Sequence, residues 1–278
     1  MKFNLDSTFK RIIFLVVTVA IGVLLLYTAF FYVPELNQKS VIIFLLVIQA
    51  LVFLTFYAFC DAHAYRLRSV KKLKNPRLQE NTFLFSTLLI EDYNYIRDTL
   101  KQAMDDRHTM INYFILITGG IVTITVTNLS IAKLLDPNIR YLLKIAAFVL
   151  NIIGWIYFLN LIRLRQAWRG SALAMNQIKE FFIQNGRIPD DIARSAFLWD
   201  TKTVPAAGRK SNVFYYSALL ISFISSIFIV IASYVSIPAA TEIKIPFISL
   251  LLGAYHLIFQ MVSYSLFLDY SKERTVER

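Results

Sequence analysis

Apolar residues fall along this chain in six long runs, with the polar positions gathered into the gaps between them. Residues 12–33, 40–60, 111–132, 145–162, 213–237 and 245–268 contain no Asp, Glu, Lys or Arg. At about 1.5 Å of rise per helical residue, each run is about long enough to cross a hydrocarbon core of roughly 30 Å. The bilayer core offers no water to backbone amides, so runs of this kind must close their hydrogen bonds within a helix. The pattern predicts an all-α integral membrane protein with six transmembrane helices. The first run has a basic flank, as a signal peptide does. It is followed by Tyr32-Val33-Pro34-Glu35-Leu36 rather than by a small-residue cleavage site, and so reads as an uncleaved anchor.

The gaps carry a second pattern. A helix is predicted from Ala62 to Lys74, ending near Pro76. The stretch 81–89 is apolar but too short to span, and is expected at the interface or against a polar layer. From Glu91 a helix continues into the third run, with Tyr93, Ile96, Leu100 and Ala103 three and four residues apart and charged residues between them. That is an amphipathic helix with a seam for a partner. The expected partner, 163–185, extends the fourth run through Trp168, Ala172, Met175, Ile178 and Phe182. Gly186 and Pro189 end it, and Asp190 can cap a short helix reaching Trp199. The organisation expected is three hairpins, with a helical bundle extending from the central one. The segments are an N-terminal hairpin with its extension (1–76), the polar helices plus central hairpin (77–200), and a C-terminal hairpin (201–278). No internal repeat stands out.

Charge orients this scheme. Of the 29 Lys and Arg, 24 lie before the first run, in the two long connections or in the tail; Lys39, Lys133, Arg140, Lys144 and Lys244 are the others. By the positive-inside rule both termini and both long connections are cytoplasmic, which predicts a multi-pass membrane protein. A net charge of +11 could mean nucleic acid. Here the excess flanks membrane spans, so topology and anionic lipid headgroups account for it, and no specific nucleic-acid binding is expected. Tyr27, Phe30, Phe31 and Tyr32 resemble an interfacial aromatic belt. Cys60 stands alone, which excludes an intramolecular disulfide and a cysteine zinc site.

The central segment resembles a known family. Arg107-x-x-x-x-Asn112-Tyr113-Phe114 is similar to the arginine–asparagine–aromatic start of the first central span in SLATT-type membrane effectors and the related RipA-family octameric membrane proteins. Trp168-Arg169-x-Ser171-x-x-x-Met175-Asn176-x-x-Lys179-Glu180-Phe181 resembles their tryptophan-initiated cytoplasmic helix, and Ile188-Pro189 followed by Trp199 resembles its close. The likeness covers about 91–199. It implies two central spans above a cytoplasmic bundle, oligomerisation into octamers or similar rings, and membrane disruption in bacterial conflict such as defence against phage. The pair of spans at each end departs from that plan and would crowd a simple pore.

Polar residues inside apolar runs must be paired or face a cavity. Ser249, Gly253, His256, Gln260 and Ser263 form a stripe on the sixth run, and Asn112, Gly119, Thr123 and Thr127 share a face of the third. Ser222, Ser226 and Ser233 mark the fifth run, with Gln49, Asn151 and Asn160 as single points elsewhere. Both polar lining and interhelical packing are open for Asn112, Thr123, Thr127, His256 and Gln260; for the histidine stripe, the lack of a carboxylate in any run favours packing through interhelical hydrogen bonds. Arg107, Trp168, Asn176, Lys179 and Trp199 are the candidates for assembly in the cytoplasmic layer. For Arg107 the candidate partners are Glu180, Asp106 or a lipid phosphate, against an ordinary snorkelling arginine. His63 and His108 lack acidic or cysteine companions at metal-ligand spacing, so no metal is expected. Motifs for zinc hydrolysis, serine hydrolysis and nucleotide phosphate binding are missing from the sequence, so no enzyme activity, catalytic residue or cofactor is expected. The expected function is a non-enzymatic, homo-oligomeric effector or scaffold that takes a signal or a cytoplasmic protein partner and alters membrane permeability. The competing reading is a small-molecule or ion transporter lined by Ser, Thr and His.

Overall fold

The computed structural model describes residues 36–60, 82–128, 136–185, 213–236 and 244–269. Among them the chain is all-helical: α1 is Leu36–Cys60, α2 Thr82–Asn128, α3 Pro137–Asn185, α4 Val213–Val235 and α5 Lys244–Asp269. Three helices, α3, α4 and α5, are long and apolar enough to cross a membrane, and α1 contains the shorter apolar stretch Lys39–Val52. The first apolar run, the helix expected at 62–74, Asp190, Trp199 and the tail lie outside the described residues. So does the side chain of Thr127.

The two longest helices, α2 and α3, set the dimensions. With 47 and 49 residues they measure about 70 Å and about 74 Å at 1.5 Å per residue, well beyond the roughly 30 Å a hydrocarbon core requires. The sequence predicts the first of these from Glu91, whereas α2 is helical from Thr82. Nothing between Thr82 and Glu91 breaks a helix: the stretch holds neither glycine nor proline, and its leucines favour helix. The start of α3 is set by Asp136. Its carboxylate accepts the Asn138 N–H at 2.8 Å and its carbonyl accepts the Arg140 N–H at 3.1 Å, with Pro137 at the first helical position. The same end of the α3–α4 pair is tied across the two helices, where Arg140 Nε donates to the carbonyl of Val235 at 3.1 Å, in the last turn of α4.

α3 is the centre of the packing. It lies between α2 and α4, α4 packs in turn on α5, and α1 touches α4 and α5. Two glycines let the backbones approach. A Cβ on Gly154 would stand 1.9 Å from Ser225 Oγ, and one on Gly253 would stand 2.4 Å from Val230 Cγ2 and 3.2 Å from the Ser226 carbonyl. Small residues at a crossing allow the close contact that holds apolar helices together where lipid removes the hydrophobic drive. Trp155, Phe158, Ile221, Phe259 and Tyr264 fill the space between α3, α4 and α5. Outward, Leu116, Ile124, Leu142, Phe223 and Leu250 are exposed, as the rim of a lipid-embedded bundle would be.

Beyond the apolar runs the seams of α2 and α3 meet, where Leu100 packs against Ala172 and Leu173. Along α2 the inward positions run Tyr93, Ile96, Leu100, Ala103, Arg107, Met110 and Phe114, each partly or fully buried. The 3–4 rhythm therefore carries an arginine onto the apolar seam.

Candidate functional site

Two buried polar centres lie on the bundle, one deep in the apolar layer and one at its edge. The deep one is built around His256 of α5. Ser226 of α4 donates to the Ser222 carbonyl at 2.7 Å, leaving its oxygen to accept His256 Nδ1–H at 3.0 Å. His256 Nε2 accepts the indole N–H of Trp155 at 3.1 Å and the Asn151 amide at 3.2 Å, both from α3. Asn151 Nδ2 also donates to the Ser225 carbonyl at 2.9 Å. The network admits one tautomer, neutral imidazole with its proton on Nδ1. Trp155 adds an edge-on ring contact, its centroid 5.7 Å from that of His256. Three helices are thereby pinned by one side chain.

The rest of the α5 stripe also points inward. Ser249 donates to Ser233 at 3.0 Å, Ser263 donates to its own helix at the Phe259 carbonyl, and Gln49 of α1 donates to the Tyr255 hydroxyl. Gln260 is different. It is fully buried, yet neither of its amide atoms has a hydrogen-bond partner among the described residues. The register that sets Ser249 against Ser233 and His256 against Ser226 places Gln260 level with Ser222, whose hydroxyl is likewise buried and unpartnered.

The third-run candidates do not join this centre. Asn112 and Thr123 are exposed, the Thr123 hydroxyl is bonded at 2.8 Å to the Gly119 carbonyl of its own helix, and nothing lies within 4 Å of a Cβ on Gly119 or Gly120. Their face of α2 looks away from α3, because Phe114 and Thr118 occupy the inward side. Asn160 is exposed too, whereas Asn151 is fully buried.

The second centre lies where α2 and α3 leave their uncharged runs and α4 begins. Arg107, 7% exposed, stacks its guanidinium 4.9 Å from the Phe214 ring centre; Arg165, 3% exposed, lies 5.4 Å from the same ring and 4.4 Å from Trp168. Arg107 Nη2 donates to His108 Nε2 at 2.6 Å, while its Nε is buried without a partner among the described residues. The ion pair with Asp106 or Glu180 that the sequence allows is not made. Asp106 is on the exposed side of α2, and Arg107 is turned onto the seam. Burial lowers the pKa of the Arg107 guanidinium, and burial also lowers that of Arg165; there Tyr264 opposes the shift and Arg169 adds to it. Tyr264 is fully buried, and its hydroxyl has no partner among the described residues. Further along α3, Asn176 is buried and accepts a hydrogen bond from Lys179 Nζ at 3.3 Å. Among the four described assembly candidates, then, Arg107 and Trp168 come together through Phe214 and Arg165, and Asn176 and Lys179 form a separate pair.

Trp155, Arg165, Phe214 and Tyr264 were not legible as site residues, since each looks in sequence like an ordinary aromatic or boundary arginine. The available signal was register: Asn151 and Trp155 lie one helical turn apart, the spacing at which two donors can converge on one acceptor. No group of three His, Cys, Asp or Glu among the described residues could hold a metal. Fold and sites together define an all-helical, membrane-embedded protein. No protein-family model, curated protein or solved structure matches the chain.

Proposed function

We propose that this chain is a six-span bacterial inner-membrane protein with cytoplasmic termini, acting without catalysis as a homo-oligomeric effector or scaffold. Its cytoplasmic helical extension takes a signal or a protein partner. The spans respond by changing membrane permeability or by holding a larger complex. The observation that carries this reading is the continuity of α2 and α3, which run unbroken from a charged, seam-paired half into an apolar half. A shift of one extension against the other is transmitted along stiff helices to the spans. Ile90, Tyr95 and Met104 are exposed on the charged half of α2, which supplies apolar surface for contact between copies. The SLATT-like motifs of 91–199 supply the class of effector, a ring-forming membrane protein of phage defence.

Deleting 164–200 should abolish assembly, and a deletion protein that keeps its oligomeric mass on a sizing column overturns the reading. A gentler version is the Ile90→Asp, Tyr95→Asp pair, which leaves the Leu100–Ala172 seam untouched and should yield monomers. A transporter is the second reading, favoured by Gln260 and Ser222, two unpartnered buried polar groups at one level of the bundle. Solute flux into liposomes that falls with Gln260→Leu but survives the Ile90, Tyr95 pair would select it.

A further inference from the structure

Buried arginines are costly unless something offsets their charge, and a cation held against aromatic rings is only partly compensated. Arg107 is such a case. Among the described residues its partners are the Phe214 ring and the imidazole of His108, and its Nε is buried with none. Arg165 brings a second buried guanidinium over the same ring. Tyr264, packed in the same buried cluster as Phe214, adds a fully buried hydroxyl without a partner among the described residues. Arg169, partly exposed, brings a third positive charge within electrostatic reach of Arg165. The helix α4 begins at Val213, one residue before Phe214, so its positive end lies at the same level.

The cluster reaches the surface at His108. His108 is exposed, and the Arg107 guanidinium reaches it through Nη2. Neutral imidazole is a weak acceptor for a guanidinium compared with a doubly bonding oxyanion. An anion arriving beside His108 could take over Nη2 and the adjoining edge of the fork. The neighbouring groups (guanidinium forks, a phenol hydroxyl and a helix start) are all donors. They suit a tetrahedral oxyanion with several acceptor oxygens better than a planar carboxylate.

We propose that Arg107 and Arg165, joined over Phe214, form a phosphate-binding site at the edge of the apolar layer, with Tyr264 as a further donor. On the orientation proposed above, this edge is the cytoplasmic leaflet, where the phosphate of an anionic phospholipid would stand. Only that choice of leaflet rests on the proposed function.

The test uses the full-length protein in nanodiscs, with thermal unfolding read against composition. In discs of zwitterionic phosphatidylcholine the protein gives its baseline. Replacing a third of the lipid with phosphatidylglycerol should raise the melting temperature by about 5 °C if the site fills. Arg107→Gln should abolish that increment, and Arg107→Lys should keep less than half of it, having the charge without the fork. Tyr264→Phe should reduce it. A purely structural Tyr264 would instead leave the increment alone and raise the baseline, by removing a buried hydroxyl without a partner. Arg97→Gln, an exposed arginine on the same helix, controls for general attraction to anionic lipid and should keep the full increment. If 10 mM inorganic phosphate in phosphatidylcholine discs produces the same Arg107-dependent shift, the site stands and its ligand is a soluble phosphate. An increment that is absent with both ligands, or equally present in Arg107→Gln, overturns the proposal. Should Arg107→Gln fail to fold, the Arg107→Lys and Tyr264→Phe pair carries the same decision. An Ile90→Asp, Tyr95→Asp variant that stays oligomeric yet keeps the Arg107-dependent increment would overturn the assembly reading and leave this site in place.

Discussion

His256 and Arg107 are both polar, both nearly inaccessible and both set on inward helix faces, yet their surroundings are opposite. Around His256 each ring nitrogen is matched, with two donors on Nε2 and an acceptor on Nδ1 supplied by three residues of two other helices. Around Arg107 the ring of Phe214 and one imidazole face a full positive charge, and one N–H has no partner among the described residues. A satisfied neutral network holds helices in register and resists rearrangement. An under-satisfied charge at the edge of the layer is a place where something can bind. The deep centre therefore belongs to architecture and the edge centre to recognition.

The largest test of that division is Trp155→Ala. It removes a buried indole that fills the α3–α4–α5 core and takes away one of the two donors to His256. By the usual cost of Trp truncation the loss should be about 3–5 kcal/mol, read by denaturant titration in mixed micelles. Trp155→Phe keeps most of the volume and isolates the hydrogen bond, for which about 1 kcal/mol is expected in an apolar bundle. Equal losses in the two variants would mean that the indole N–H, not the packing, dominates the centre.

Next in size is Gly253→Ala. Its new methyl would meet Val230 Cγ2 at 2.4 Å and the Ser226 carbonyl at 3.2 Å, and backbone cannot step aside as a side chain can. Overpacking of this kind costs about 1–3 kcal/mol. Gly154→Ala meets the Ser225 hydroxyl, which can rotate, and Ser225 Cβ at 3.1 Å, with no backbone atom closer than 3.8 Å, so its loss should be smaller. Gly120→Ala meets nothing within 4 Å and should be neutral or slightly stabilising. A melting series that does not follow that order would show that the α4–α5 crossing is looser than its geometry.

How much of this was readable in advance depends on whether one helix sufficed. The inward stripe of α5 and the seams of α2 and α3 follow from a single period, and the described side chains fall on those faces: Ser249, His256, Gln260 and Ser263 are buried, and so are Ala103, Ala172 and Ile178. The shared face of Asn112, Gly119 and Thr123 obeyed the same arithmetic yet turns outward, because periodicity defines a face without saying what it meets. Phe114 and Thr118, on the other side of α2, form the contact with the bundle. Trp155 and Tyr264 were invisible for a related reason. Their roles depend on which residue of another helix lies at the same height, and no single-helix pattern holds that information. Arg107 was singled out as a residue with its partner left open, since a helix period alone does not choose among them: a sequence neighbour such as Asp106 is about 100° away around the helix.

A smaller effect separates the histidine from the glutamine one turn away. Gln260→Leu replaces an amide with no described partner by a side chain of similar size, and losing an unpaired buried polar group is neutral or favourable by about 1 kcal/mol. His256→Leu, at the neighbouring position, strands the Trp155 and Asn151 donors and should cost about 2–3 kcal/mol. If Gln260→Leu is as damaging as His256→Leu, the amide has a function that packing does not account for, and the transporter reading gains accordingly.

The smallest change expected is at Thr123, and its smallness is informative. The hydroxyl is exposed and bonded to the Gly119 carbonyl of its own helix, so Thr123→Val removes a local bond and leaves an outward apolar methyl. In an isolated chain the effect on melting should be within about 0.5 kcal/mol. The same substitution in the assembled protein has a different meaning. If the face of α2 that carries Asn112 and Thr123 meets another copy or lines an axis between copies, Thr123→Val will leave the monomer's melting unchanged while shifting the monomer–oligomer equilibrium. Measuring both on one preparation, by melting and by sedimentation, separates a lipid-facing surface from an inter-copy one. A null result in both assigns that face to lipid, whereas a change in sedimentation alone makes it the contact through which the third run acts.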